Sequence, residues 1–224
     1  MERSDKMIIS LGGSVMNPSK PDLDFIEKFV ETIESHHLRF VVFIGGGGLS
    51  RQFQQIASQN MKTSNFILDE LGIVATRINA SLLKSEFGSI AEEKIILDPN
   101  KKLIMKRKVA VGGGWKPGAS TDDCAVRFAA ANKIRTVINI SNTNFIYDKD
   151  PKKYPAAKPL RKTNWKVLQK IVGKKWKPGL HVPFDPVATR LASKKKIKMV
   201  FLGPDIGNFR NYLAGKDFNG TIVS

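Results

Sequence analysis

Three times in its first half this chain runs an apolar stretch straight into glycine: KMIISLGG at 6–13, RFVVFIGGGG at 39–48 and KVAVGGG at 108–114. The stretches are rich in Ile, Val and Phe and are too short for an ordinary helix. None of them alternates apolar with polar residues. A strand of that kind is buried on both faces, as in a parallel sheet covered by helices. Amphipathic segments follow. DLDFIEKFVETIESH at 22–36 sets Phe25, Ile26, Phe29, Val30 and Ile33 at helical spacing, with Asp22 and Asp24 near its start, where they suit the helix dipole. LSRQFQQIASQ at 49–59 follows the second glycine run as another helix. The expectation is an α/β fold. Four consecutive glycines at 45–48 cost backbone entropy and add nothing to a core, so something must approach that backbone closely.

The pattern continues to the end. Helices are expected over 69–87, 120–133, 164–175 and 185–195, with a short one over 206–215. Strands are expected over 135–141, 197–203 and 220–224. No linker or internal repeat interrupts them, and one domain over 1–224 is expected. An apolar content of 42% is enough for a real core. The single cysteine, Cys124, excludes an internal disulfide and a cysteine-based metal site, and fits a cytoplasmic chain. The charged opening MERSDKMII is not expected to act as a signal peptide, and no apolar run approaches the ~20 residues that span a bilayer.

The formal net charge is +17, which suits polyanionic partners such as nucleotides or RNA. The basic runs KKLIMKRK at 101–108 and ASKKKIK at 192–198 carry no nucleic-acid-binding signature. They read as a solvated lysine-rich surface rather than a dedicated nucleic-acid site. The three histidines, His36, His37 and His181, show no metal-ligand spacing.

In a parallel sheet, glycine turns after strands lie at the carboxyl edge, where ligands bind. Bare N–H groups and a following helix N-terminus suit phosphate. None of these turns matches a Walker loop, and no G-x-G-x-x-G follows a strand, which argues against a Rossmann dehydrogenase.

The ordered set SLGGSV, GGGGLSR, LGIVATRINASLL, GGGWKPGASTDD, NFIYDKDPKK and KPGLHVPFDPVA resembles the amino acid kinase family, and within it the archaeal uridylate kinases. The resemblance runs from about residue 7 to residue 223. It implies a three-layer α/β/α sandwich with a mostly parallel sheet of about eight strands, assembled as a homohexamer. It also implies transfer of the γ-phosphoryl group of ATP to UMP, with Mg²⁺ accompanying ATP and no dedicated protein metal cage. UMP is expected on the N-terminal half and ATP on the C-terminal half.

By the same resemblance, Ser10, Leu11, Gly12, Gly13 and Ser14 lie under the transferring phosphates. Ser10 stands where many family members carry a lysine, a departure shared with the archaeal uridylate kinases. Gly46 and Gly47 match contacts to UMP and ATP, and Arg51 a nucleotide-contacting arginine. Asp69 matches an acid that helps hold UMP; it also reads as a helix N-cap. Arg77 and Asn79 match a motif near the acceptor site and a subunit contact. Gly114, Trp115, Lys116, Pro117, Gly118, Ala119 and Ser120 match the loop around the acceptor, with Trp115 and Lys116 replacing smaller or His-like residues. Ser120 and Thr121 also read as an N-cap, which puts Asp122 and Asp123 in the first helical turn. Ser141, Asn142, Tyr147 and Asp150 match the ATP base and ribose pocket. Lys177 matches a lysine approaching the ATP phosphates, and Asp185 a carboxylate orienting the site, with an N-cap as its alternative reading. Lys177, Arg51 and Asp185 are thus the implied catalytic set.

One departure stands out. Relatives carry Asp-Gly where this chain has Asn144-Phe145. Phenylalanine resists φ > 0, so a rebuilt turn is expected, with any left-handed residue at Asn144. Sister kinases with other phosphate acceptors, and non-catalytic nucleotide-binding relatives, are the competing readings.

Overall fold

The computed structural model describes residues 5–60, 63–151, 153–173 and 182–224. The three glycine-ended runs are strands β1 (Lys6–Leu11), β2 (Arg39–Ile44) and β3 (Val109–Gly112). They lie side by side with β4 (Thr136–Ile140) and β8 (Lys198–Leu202) in the order β3-β2-β1-β4-β8, all parallel. Strand β9 (Gly220–Val223) runs antiparallel to β8, and the short β7 (Lys162–Thr163) closes that edge. The main sheet therefore has seven strands, where about eight were expected. A separate two-stranded piece pairs β5 (Ile146–Tyr147) with β6 (Pro159–Leu160).

Successive residues of each strand face opposite layers. Ile9, Leu11, Phe40, Val42 and Ile44 pack into one core with Phe29, Leu83 and Phe209. Ile8, Val41, Phe43, Val137 and Met199 pack into the other with Phe128, Ala188 and Leu168. The first core is covered by α1 (Gly13–Met16), α2 (Leu23–Ser35), α4 (Asn65–Phe87) and α8 (Ile206–Leu213). The second is covered by α5 (Thr121–Ala131), α6 (Trp165–Val172) and α7 (Pro186–Lys195). These are the three layers. Helix α3 (Gly47–Asn60) packs on α4.

Several helix starts follow side-chain capping, which satisfies N–H groups the helix itself cannot. Asp22, Ser120, Asn164, Asp185 and Asp205 each accept from the first turn of the helix they open. Two starts differ from expectation. Helix α3 begins at Gly47, inside the glycine run, and α4 begins at Asn65, capped by Ser64 through Ile67 N–H. Residues 174–175 of the expected helix over 164–175 lie outside the described residues.

Candidate active site

From β1 the chain steps to β2 and β3 on one side, and only then crosses to β4 and β8 on the other. The reversal falls between β1 and β4. In open α/β sheets ligands bind beyond the carboxyl ends of the strands at such a point.

All three glycine turns lie along that edge. The first two are packed on each other: Gly45 N–H donates to Leu11 O at 3.0 Å, and Gly48 N–H to Asn17 O at 2.7 Å. A Cβ on Gly13 would collide with the backbone of Gly45 and Gly47. Gly47 takes φ = 60°, and a Cβ there would collide with Gly13 and Asn17. The close approach that the glycine run requires is thus made first by the neighbouring loop, because β1 and β2 are adjacent. Leu11 turns its side chain into the core, which leaves only its backbone for the edge.

At the switch point itself, Ser10 Oγ donates to Asp122 Oδ1 at 2.6 Å, and Asn139 Nδ2 of β4 donates to the same oxygen at 3.0 Å. Burial pushes the Asp122 carboxyl up to about 7. The charge of Asp185 adds to the shift, while hydrogen bonds from Ser10, the Asp185 backbone and Asn139 oppose it. Asp123 is also raised by burial and held back by Arg127, whose Nε lies 2.6 Å from Oδ2. Asp185 caps α7 with Oδ1, which accepts from Val187 N–H at 2.5 Å and Ala188 N–H at 2.9 Å. Its Oδ2 is buried and has no partner among the described residues, as are Asp123 Oδ1 and Asn139 Oδ1. Cap and site readings of Asp185 are therefore compatible, with one oxygen available for each. Buried acceptors without donors are costly, and three of them around one crevice mark a place for a cationic or hydrogen-donating group. Asp122 joins β1, β4 and α7, yet the sequence reading leaves it as a first-turn acid. The signal was two carboxylates directly behind a serine cap on a helix entering the glycine edge.

The loop over 113–120 is braced by α4. Thr76 Oγ1 accepts Gly114 N–H at 2.6 Å. Arg77 donates to Gly114 O at 3.2 Å and Trp115 O at 3.1 Å. Asp69 Oδ2 accepts Gly118 N–H at 2.5 Å. Asp69 lies inside α4, so its N-cap reading is corrected: Ser64 caps the helix, and Asp69 holds the loop. Burial raises its carboxyl, and the Gly118 bond opposes the shift. Asn79 donates to Gly45 O at 2.8 Å and accepts from Asn17 at 3.1 Å, which reaches the first two glycine turns. The Trp115 ring carries Lys116 Nζ at 4.1 Å and Arg127 Cζ at 5.4 Å. Ala119 is buried and Ser120 spends its hydroxyl on the α5 cap. Pro117 is half-buried in the same loop.

Other expected residues are more open. Arg51 is exposed on α3 and donates to Pro18 O at 2.8 Å. Gly12 N–H is taken by Ile140 O at 2.8 Å, Ser14 sits in α1, and Gly46 directly precedes α3. Ser141 follows β4 with its N–H on Leu202 O at 3.0 Å, and Asn142 is exposed. Tyr147 is half-buried on β5, and Asp150 is exposed beyond it. Phe145 avoids positive φ, as the rebuilt turn requires; Asn144 avoids it too, and lays its side chain over Gly203. Lys177 and His181 lie outside the described residues.

The model of the amino acid kinase family matches residues 5–203. The chain belongs to the amino acid kinase family. Among family members it is 34% identical to a uridylate kinase of Pyrococcus abyssi, over 88% of this chain and 90% of that protein. It is 32% identical to one of Thermococcus kodakarensis, over 97% and 99% of the two chains. The crystal structure of uridylate kinase from Archaeoglobus fulgidus superimposes with a TM-score of 0.85 at 31% identity, covering 98% of this chain and all of that one. A UMP kinase structure from Ureaplasma parvum, at 22% identity and a TM-score of 0.79, shares the fold.

Proposed function

We propose that this chain is a uridylate kinase, moving the γ-phosphoryl group of ATP onto UMP to give UDP in pyrimidine nucleotide biosynthesis. The observation that carries the reading is the end-to-end likeness to archaeal uridylate kinases. In this reading the chain is one cytoplasmic domain, with UMP over the N-terminal half and ATP over the C-terminal half. Asp69 and the loop 114–120 receive UMP. Ser10–Ser14, Gly47, Ser141, Asn142, Tyr147 and Asp150 receive ATP. Arg51 and Lys177 balance phosphate charge, and Asp185 orients the site.

The chemistry asks little covalent help. The second pKa of a phosphomonoester is about 6, so UMP is already an anionic nucleophile at neutral pH. In-line transfer then rests on positioning and on charge stabilisation. Among the described residues no group of three acidic, histidine or cysteine side chains forms a metal cage. The site still fits a hydrated Mg²⁺ brought by ATP, because Asp185 Oδ2 is buried and unpartnered. When bound, Mg²⁺ neutralises charge on the β- and γ-oxygens.

Assembly into a homohexamer is part of the proposal. Its support is an exposed apolar face on the α3–α4 pair, with Val74 and Ile78 on α4 and Phe53 and Ile56 on α3 each about half exposed. No helix among the described residues is long and apolar enough to cross a membrane.

The test is turnover with ATP across UMP, CMP, AMP and isopentenyl phosphate. UMP is expected to give the highest kcat/KM. Equal or faster turnover of another acceptor rejects the assignment, and no turnover with any of them moves the chain to the non-catalytic class.

A further inference from the structure

The two basic runs lie far apart in sequence, and the fold brings them to one place. Strands β3, β2, β1, β4 and β8 are parallel, so all begin on the edge opposite the glycine turns. A cation stands at or just before each start: Lys108, Arg39, Lys6, Arg135 and Lys198 in that order across the sheet. Register makes them neighbours. Lys6 pairs with Arg39, Phe40 N–H reaches Lys108 O at 2.9 Å, and Lys198 N–H reaches Arg135 O at 2.8 Å. Five strands ~4.8 Å apart make a row about 19 Å long.

Both runs are tied to this row. Arg39 Nη1 donates to Met105 O at 3.1 Å, and Leu103 N–H to Asn132 Oδ1 at 3.0 Å, which fixes the 101–108 run against the end of α5. Arg135 Nη1 donates to Lys195 O at 3.0 Å, which fixes the 192–198 run beside β4. Lys133 and Lys196, with φ of 57° and 52°, are the only non-glycine residues at positive φ among those described, and both lie just past helices ending on this edge. Glycine is the usual occupant there. Some acid reaches the edge: exposed Asp5 directly precedes Lys6, its carbonyl accepting Arg39 N–H at 3.0 Å, and on the β3 side Glu93 pairs with Arg107 at 3.3 Å and Glu92 accepts from the backbone of Lys106 and Arg107. On the β4–β8 side, Lys133, Arg135 and Lys194–Lys196 are exposed and make no ion pair among the described residues.

We propose that this amino edge docks the phosphate backbone of a nucleic acid, without reading its sequence. A nucleic-acid strand carries a phosphate every ~3.4 Å of axis, so the row faces about five of them. The exposed Phe and Tyr side chains, Phe53, Phe66 and Tyr154, are on α3, α4 and the segment before β6, and the aromatic rings at this edge are the stacked pair His36 and exposed His37 just before β2, so charge carries the docking and stacking is at most local. A membrane surface asks for an apolar face lying along it. Here the helices end on the edge, and Ile104 is the one large exposed apolar residue within the two runs. The inference rests on charge and topology and stands apart from the kinase assignment.

The experiment is fluorescence anisotropy of the full chain with a 20-nucleotide single-stranded RNA, and with DNA of the same sequence, from 50 to 200 mM KCl. Both strands should bind within about threefold of each other, and affinity should fall on the order of 100-fold across that salt range for five contacts. The charge reversal Lys194→Glu/Lys195→Glu/Lys196→Glu should weaken binding at least tenfold and flatten the salt slope. The control Lys149→Glu/Lys153→Glu/Lys158→Glu, on the exposed segment around β5 and β6 that follows the carboxyl end of β4, changes net charge equally and should weaken it less than threefold. Should the first variant fail to fold, Lys133→Gly/Lys196→Gly places glycine where the backbone favours it, and it too should weaken binding beyond the control. No saturable binding at 50 mM KCl, equal loss in control and edge variants, or tighter binding to phosphatidylserine vesicles than to RNA each overturns the proposal.

Discussion

Asp122 is a carboxyl whose usual charge the fold resists. Burial and the nearby Asp185 raise it from 3.8 to about 7. A raised carboxyl keeps its proton longer in the folded state than in the unfolded one, so its contribution to stability is full below about pH 4 and is lost as pH rises through 7. Calorimetric Tm of the wild type should therefore fall between pH 5 and pH 8 more steeply than that of Asp122→Asn, whose amide keeps an acceptor for Ser10. Parallel slopes in the two proteins would remove Asp122 from this account. Sequence alone gives the residue type and its first-turn position. It gives no hint of the shift, because Ser10 and Asn139 come from strands that meet α5 only in the folded chain. Phe145 was more legible, since the φ restriction on a bulky side chain is local and holds in any context.

At the scale of the element, α4 acts as a strut for three turns. Asn79 holds the backbone of Gly45, Thr76 and Arg77 hold Gly114 and Trp115, and Asp69 holds Gly118. Asn79 is buried at 1% exposure, so Asn79→Ala strips the partner from buried Asn17 Nδ2 and from half-buried Gly45 O. The buried loss alone costs about 1–3 kcal/mol. With about 2–4 °C per kcal/mol in a chain of this size, Tm should fall by at least about 2 °C. Loop placement should suffer as well, seen as a raised KM for UMP. A thermal melt within 1 °C of wild type would show that Asn79 is not a brace. Most caps could be read in advance, because Asp22, Ser120 and Asp185 act on N–H groups two or three residues away. The start of α4 could not. Ser64 is followed by Phe66 and Ile67, which remain exposed and so give no inward-facing period.

For the molecule as a whole, the α3–α4 apolar face predicts its assembly state. Val74→Glu/Ile78→Glu puts two charges into that face without touching either core, and light scattering should show a smaller oligomer than wild type. An unchanged mass would move the subunit contact elsewhere. The layered fold was legible because each buried strand announces itself in a few residues. The amino-edge charge was not, since parallel strands gather their starting residues only after the sheet exists. The strand order also bears on synthesis. Ile8 pairs with Val41 soon after leaving the ribosome, but its other side waits for Val137. Until then a central, largely apolar strand has an open flank, the kind of edge on which chains join one another. Nascent chains halted near residue 115 should therefore pellet on centrifugation, and those extended past β4 and β8 should stay in the supernatant. Soluble halted chains would mean that the glycine-turn half shields its own flank. The switch point that leaves room for a ligand is also the seam that holds the two halves of the polypeptide apart until the second half is made.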